Sequence, residues 1–104
     1  MTKSQEKALA RIRESVEAWG DGRYEIKRWE VEDHGSFLSL VVQTGMPDDE
    51  GTAAEMFARD RAHIFIGPRG GITYPVWRNG RQIERRWDCY SFLTPVVDQM
   101  QRED

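Results

Sequence analysis

Residues 72–87 read ITYPVWRNGRQIERRW, and this stretch decides the fold. Asn79-Gly80 separates two runs of strand-forming residues, which is the strongest short-range signal for a two-residue type I′ hairpin. Such a turn sets the register of both strands, so Arg78 is predicted to face Arg81. Because side chains alternate between the two sides of a strand, one face of the hairpin is assigned to the core. That face holds Ile72, Tyr74, Val76, Ile83 and Trp87.

The opposite face of the hairpin is predicted to be a binding surface. The preceding strand, residues 61–66, alternates in the same way. If helices cover only the core face, rings and guanidinium groups stay exposed side by side on the other, where rings stack and arginines hold anions. Helices on this second face, or a homodimer that pairs it with itself, are the alternatives. The predicted partner-binding residues are Arg61, His63, Phe65, Trp77 and Arg86.

The sequence predicts specific contacts or positions for two residues of the hairpin, Tyr74 and Pro75. Tyr74 faces Arg85 on the predicted register, and this pairing predicts a structural cation–π contact. Pro75 has no N–H to donate to a strand ladder, so we expect its nitrogen to face outward or to lie at a bulge.

Working outward from the hairpin, the chain alternates between helical and strand patterns. Thr2 and Gln5 have capping-box spacing, which predicts an amphipathic helix over about 3–19. Strands are predicted over 24–32, with a bulge near Lys27-Arg28, and over 37–42. A second capping box predicts a short helix at 53–58. Thr94-Pro95 predicts the start of a C-terminal helix that buries Val96, Val97 and Met100.

These elements predict one α+β domain spanning residues 1–104. The order is α-β-β-(α)-β-β-β-α, and the short loops favour an antiparallel sheet of about five strands in a two-layer sandwich. Aromatic residues make up 11% of the chain, which excludes disorder. Neither a membrane span nor a secretory signal is expected, because no long apolar run occurs. The single cysteine, Cys89, fits a reducing compartment, so we expect a cytoplasmic location.

The charge is unevenly distributed along the chain. The net charge is −3, but residues 1–58 carry −5, residues 59–86 carry +5 and residues 87–104 carry −3. The cations of the middle segment are all arginines, which suit phosphate, carboxylate and aromatic partners. Pairing with the acidic segments inside the fold is the simplest alternative. Arginine outnumbers lysine twelve to three, which favours a protein from a GC-rich bacterium or a phage infecting one.

No set of residues predicts a catalytic centre, a metal site or a cofactor. Two histidines and one cysteine are too few for a zinc site, and the acidic run at 48–50 lacks the spacing of a calcium loop. The loop at 67–71, GPRGG, is not a P-loop, but its backbone N–H groups are a candidate anion nest. The candidate anion-binding residues are Arg69, Gly70, Gly71, Arg78 and Arg81.

We hypothesise a small non-enzymatic binding protein, a phage-encoded or accessory bacterial modulator. It would dock a protein partner or itself through the aromatic–arginine face, since Trp and Arg are frequent interface hot spots. A nucleic-acid-binding protein that uses the arginines of residues 59–86 is one alternative, although the negative net charge counts against it. A small enzyme or small-molecule sensor is the other, with His63 as a base or Cys89 activated by an arginine.

Overall fold

The described part of the chain folds into one antiparallel sheet with two helices on the same side. The computed structural model describes residues 1–45 and 61–100. Its elements are α1 (Lys3–Glu17), β1 (Glu25–Asp33), β2 (Leu38–Gly45), β3 (Arg61–Ile66), β4 (Ile72–Arg78), β5 (Arg81–Arg86) and α2 (Leu93–Met100). The strands lie in the order β1-β2-β3-β4-β5. This arrangement confirms the predicted α+β class. The predicted helix at 53–58 and the acidic run at 48–50 lie outside the described residues.

Helix α1 begins at the predicted capping box. Thr2 Oγ1 accepts the Gln5 N–H at 3.1 Å, and Gln5 Oε1 accepts the Thr2 N–H at 2.8 Å. These bonds satisfy N–H groups that a helix start otherwise leaves unpaired. The helix ends at Glu17, earlier than predicted, because the chain tightens into a 3₁₀ turn at Trp19–Gly22. Its side facing the sheet buries Ala8, Ile12 and Val16.

The predicted bulge in β1 is confirmed. The register with β2 shifts between Ile26 and Arg28, and beyond the shift Trp29 pairs with Val42. The extra residue lets Ile26 and Trp29, which are three positions apart, point to the same face. Both side chains pack against the core.

The β4–β5 hairpin has the predicted register. Arg78 faces Arg81 across the turn. Asn79 and Gly80 have positive φ angles of 54° and 72°, as a type I′ turn requires at both central positions. The prediction that Ile83 belongs to the core was wrong, because its side chain is exposed although it lies opposite Val76. β5 is an edge strand, and α2 packs over β3 and β4 instead.

The core lies between the two helices and the sheet. Both helices contribute to it, since α1 brings Ile12 and α2 brings Val96 into the same cluster of buried side chains. The largest buried members are Tyr74, Phe92, Leu38, Leu40, Ile64 and Ile66.

Helix α2 presents a different side to the sheet from the one predicted. Val97 and Met100 are exposed, whereas Pro95 and Val96 are buried. The prediction was right for Val96, but Asp98 and Gln99 face the sheet in place of Val97 and Met100 and form hydrogen bonds to it.

The amide of Gln99 fills a gap between β3 and β4. Among the described residues, β3 and β4 pair at two positions, Phe65 with Thr73 and Ile66 with Ile72. Gln99 Oε1 accepts the His63 N–H at 2.8 Å, and Gln99 Nε2 donates to the His63 carbonyl at 2.7 Å and the Pro75 carbonyl at 3.1 Å. Pro75 lacks an N–H, so the side-chain amide supplies the donor that a strand ladder would need there.

The predicted cation–π contact between Tyr74 and Arg85 is replaced by a shared carboxylate. The Tyr74 hydroxyl donates to Asp98 Oδ2 at 2.5 Å, and Arg85 Nη1 donates to the same oxygen at 2.9 Å. Asp98 therefore ties α2 to both strands of the hairpin. Burial raises the pKa of Asp98, but the hydrogen bonds from Tyr74 and Arg85 outweigh burial and leave the pKa below its ordinary value.

Candidate functional site

One face of the sheet turns away from α1 and α2 and carries Phe65. We call it the open face. All five predicted partner-binding residues lie on it. Arg61, His63 and Phe65 alternate along β3, so they share one face. Phe65 pairs with Thr73, which pairs with Arg86, and Trp77 follows Thr73 at even spacing along β4.

A continuous array of rings crosses the open face. His34 stacks on Phe37 with ring centroids 4.6 Å apart, and Phe37 meets Phe65 edge to face at 5.6 Å. Phe65 in turn contacts His63 at 4.9 Å. Sequence reasoning missed Phe37 and His34. The signal for Phe37 was strand alternation, because its neighbour Leu38 points into the core.

His34 reaches the open face from the turn between β1 and β2. Its Nε2 atom lies 2.9 Å from Ser39 Oγ, and Ser39 is buried. No short-range pattern places a turn histidine over a neighbouring strand, so only the tertiary structure reveals this contact. The bond fixes the imidazole at one end of the ring array.

His63 contributes its imidazole to the array as a ring and not as a positive charge. Burial lowers the pKa of His63, and the electrostatic effect of the nearby Arg61 and His34 side chains lowers it further. The side chain therefore stays neutral at pH 7, where an unperturbed histidine is already mostly neutral.

An apolar groove runs between the rings and β5. We call it the face groove, and it has a volume of about 450 Å³. Phe37 and Phe65 form its apolar wall, while Thr73, Gln82 and Glu84 provide polar groups on the opposite side. A groove of this size lies within the range that accepts part of a ligand or a partner side chain.

Charged residues of both signs lie on the open face. Among the described residues, strand register places three arginines and four glutamates there, namely Arg28, Arg61, Arg86, Glu25, Glu30, Glu32 and Glu84. Glu25 forms an ion pair with Lys27 at 2.7 Å. Arg28 Nε lies 2.9 Å from Glu30 Oε1, and this hydrogen-bonded contact lowers the pKa of Glu30.

The other arginines of the hairpin lie on the helix side of the sheet. Register places Arg78, Arg81 and Arg85 on that side, where Arg85 pairs with Asp98. The cationic segment of the sequence is therefore divided between two faces. This division reduces the basic surface that a nucleic acid would need.

The structure does not bring the candidate anion-binding residues together. Arg69, Gly70 and Gly71 lie in the loop before β4, whereas Arg78 and Arg81 lie beyond its other end. At a strand rise of about 3.3 Å per residue, the two groups are separated by about 20 Å.

The loop between β3 and β4 uses backbone N–H groups for its own turn. The Gly67 N–H donates to the Gly71 carbonyl at 2.9 Å, and the Gly70 N–H donates to the Gly67 carbonyl at 2.9 Å. Gly70 has a φ of +85°, and a Cβ there would lie 2.9 Å from the Ser4 carbonyl oxygen of α1. Gly70 is thus required by the backbone conformation and by the close approach to α1.

The residues of the enzyme alternative lie on opposite sides of the sheet. His63 is on the open face, whereas Cys89 packs against the core cluster. Burial raises the pKa of Cys89, and this effect exceeds the lowering by Arg11. The thiol is therefore not activated in the way the sequence suggested. Within residues 1–45 and 61–100, no group of three or more His, Cys, Asp or Glu side chains is arranged to hold a metal ion.

Comparisons with protein-family models, curated proteins and solved structures find no match to this chain. Neither α1 nor α2, the helices of the described part, has the length and apolar character needed to cross a bilayer.

Proposed function

We propose that this protein is a non-enzymatic interaction protein whose open face docks a second copy of the chain. The observation that carries the proposal is the ring array with its exposed neighbours. Phe37, which is 36% exposed, belongs to the ring array and lines the face groove. Trp77 is 49% exposed and pairs with Gln82, another residue of the groove lining. Exposed aromatic residues with adjacent arginines are typical of interface hot spots.

The charge order along one cross-strand row supports a second copy as the occupant. Glu32, Ser39, Phe65, Thr73 and Arg86 follow one another across the five strands. The row therefore has a carboxylate at its β1 end, a ring in the middle and a guanidinium at its β5 end. A two-fold axis along β3 would place each Glu32 opposite Arg86 of the second copy and bring the two Phe65 rings together. A face of this kind is complementary to itself.

The size of the face sets the expected strength of association. Five strands spaced about 4.8 Å apart and about 20 Å long cover roughly 500 Å² in projection. Stable interfaces bury about 800 Å² on each partner. We therefore expect reversible dimerisation with a dissociation constant in the micromolar range or weaker.

Charge exchange between Glu32 and Arg86 tests the proposal. Sedimentation velocity across a concentration series should show a monomer–dimer equilibrium for the natural sequence. Glu32→Arg and Arg86→Glu should each weaken dimerisation about tenfold, because each change affects two symmetry-related contacts. The double variant should recover most of the affinity, since it restores opposite charges at both contacts.

Variants of exposed residues provide the matched controls. Trp77→Ala should weaken dimerisation because it removes an exposed ring from the docking face, whereas Tyr90→Ala and Lys7→Glu lie elsewhere and should not change it. A monomer at every concentration would overturn the proposal. A dimer that all of these variants leave unchanged would overturn it as well, since the interface would then lie on another surface.

A further inference from the structure

A second groove lies at the end of the sheet, between α1, the end of β5 and the start of α2. We call it the end groove, and it has a volume of about 630 Å³. Among its lining residues are Arg11, Gly71, Arg86, Asp88, Tyr90 and Thr94. The groove therefore brings together arginines that are far apart in the sequence.

The end groove has a surplus of positive charge. Arg11 Nη2 donates to the Asp88 backbone carbonyl at 3.1 Å, which holds that guanidinium at the groove without neutralising it. Neither Arg11 nor Arg86 forms an ion pair within the described residues. The Asp88 carboxylate accepts the Tyr90 N–H at 3.0 Å and, among the described residues, is the one carboxylate that lines the groove. Two guanidinium groups against one carboxylate leave a net positive site.

Gly71 lines both the end groove and the face groove. Its φ lies outside the left-handed region, so the backbone does not require glycine there, and a Cβ would meet nothing within 4 Å. Gly70 differs, since its conformation and its contact with Ser4 both require glycine. The missing side chain at Gly71 therefore leaves both grooves open at this residue.

We propose that the end groove binds a small phosphorylated molecule with a planar ring. Planar guanidinium groups bind phosphate through paired charge-assisted hydrogen bonds, and Arg11 and Arg86 together match a dianionic phosphate. The Thr94 hydroxyl at the groove wall is a further donor. Tyr90 is 92% exposed and offers a ring face on which the ligand ring can stack.

Phenyl phosphate and inorganic phosphate are the probes for an NMR titration of the full-length protein. Phenyl phosphate should shift the amide signals of residues around the end groove, with a dissociation constant of about 1 mM, and inorganic phosphate should bind more weakly because it has no ring. Arg11→Gln should weaken binding at least about fivefold through loss of a charge-assisted contact. Arg81→Gln, at the far hairpin turn, is the matched arginine control and should have no effect.

The Asp88→Asn variant should change the affinity for phenyl phosphate in the opposite direction. It removes the one carboxylate of the groove but keeps an oxygen that accepts the Tyr90 N–H, so phenyl phosphate should bind about threefold more tightly. Absence of saturable shifts up to about 10 mM phenyl phosphate would overturn the proposal. Equal binding by the natural protein and Arg11→Gln would also overturn it.

Arg86 borders both the open face and the end groove, so Arg86→Glu bears on both proposals, and two other variants separate them. Arg11 belongs to α1 and is not part of the open face, so Arg11→Gln tests phosphate binding without changing the docking surface. Glu32→Arg tests dimerisation without changing the end groove.

Discussion

At the scale of single residues, Asp98 and Gln99 show how two polar side chains attach α2 to the sheet. Asp98 accepts hydrogen bonds from Tyr74 and Arg85, and Gln99 bonds to the backbone of His63 and Pro75. The sequence pattern had predicted that Val97 and Met100 would face the sheet instead. Buried polar groups need partners, and only the folded chain supplies them.

Acid should destabilise the protein partly through Asp98. The pKa of Asp98 in the folded state lies below its ordinary value of 3.8, so its contribution to stability is complete above that pH and is lost as the pH falls through the folded pKa. Asp98→Asn should lower the free energy of unfolding by about 1–2 kcal/mol at pH 7 and flatten the acid limb of the stability profile. Urea denaturation between pH 2 and pH 7, at roughly one-unit steps, measures both effects. Asp88→Asn, on an exposed turn, is the control and should leave the acid limb intact.

Alkali should destabilise the protein through Tyr74. Burial and the hydrogen bond to Asp98 raise the pKa of Tyr74 from 10.0 to about 12. The stabilising contribution is therefore present below pH 10 and is lost as the pH rises toward 12, a loss of roughly 2 kcal/mol. Absorbance titration of tyrosinate should show one late-titrating residue, and Tyr74→Phe should remove it. Three tyrosines that all titrate near pH 10 would contradict this expectation.

At the scale of elements, local sequence predicted the hairpin and the bulge, but it did not predict how β3 and β4 are joined where their pairing is interrupted. The hairpin turn and the bulge are determined by neighbouring residues, so Asn79-Gly80 and Lys27-Arg28 carried enough information. From Pro75 we expected a nitrogen that faces outward or lies at a bulge, but β4 lies between β3 and β5, and the sequence did not indicate which group would replace the missing N–H donor. That donor is the Gln99 amide, which comes from a helix remote in the sequence.

Loss of the Gln99 amide should weaken the connection between β3 and β4 and lower the free energy of unfolding. Gln99→Ala leaves the His63 N–H and carbonyl without their partner, and we expect a loss of about 2 kcal/mol in urea denaturation. Gln99→Glu should cost more, because a carboxylate cannot donate to the two carbonyls. Gln82→Ala, an exposed glutamine of β5, should change stability by less than about 0.5 kcal/mol.

A compensating variant tests whether the missing proline donor is the reason for the Gln99 contact. Pro75→Val supplies an N–H opposite the His63 carbonyl, so it should recover part of the stability lost in Gln99→Ala. Equal stability losses with proline or valine at residue 75 would contradict this explanation.

At the scale of the whole molecule, the charge distribution differs from the one along the chain. The segment 59–86 carries a balance of +5, but the sheet divides its arginines between two faces and pairs one of them with Asp98. Among the described residues, the open face carries three arginines and four glutamates as a result. A face of mixed charge suits a protein surface more than a phosphate backbone.

The mixed charge of the open face predicts that the protein does not bind nucleic acid. A fluorescently labelled single strand and a duplex should both fail to bind at micromolar protein in low salt, because no continuous basic stripe neutralises successive phosphates on the described surface. Fluorescence anisotropy measures this directly. Binding whose affinity falls steeply with added salt would contradict the prediction and favour the nucleic-acid alternative.

By itself the sequence determined the α+β class, the α1 cap, the β1 bulge, the hairpin register and the shared face of the five predicted docking residues. These properties depend on strand and helix periodicity and on turn chemistry, which act over a few residues. The tertiary structure alone decided the position of His34 over Ser39, the meeting of Arg11 and Arg86 at the end groove, and the side that α2 presents. Each of these depends on contacts between distant segments, which form only when the sheet and both helices pack together.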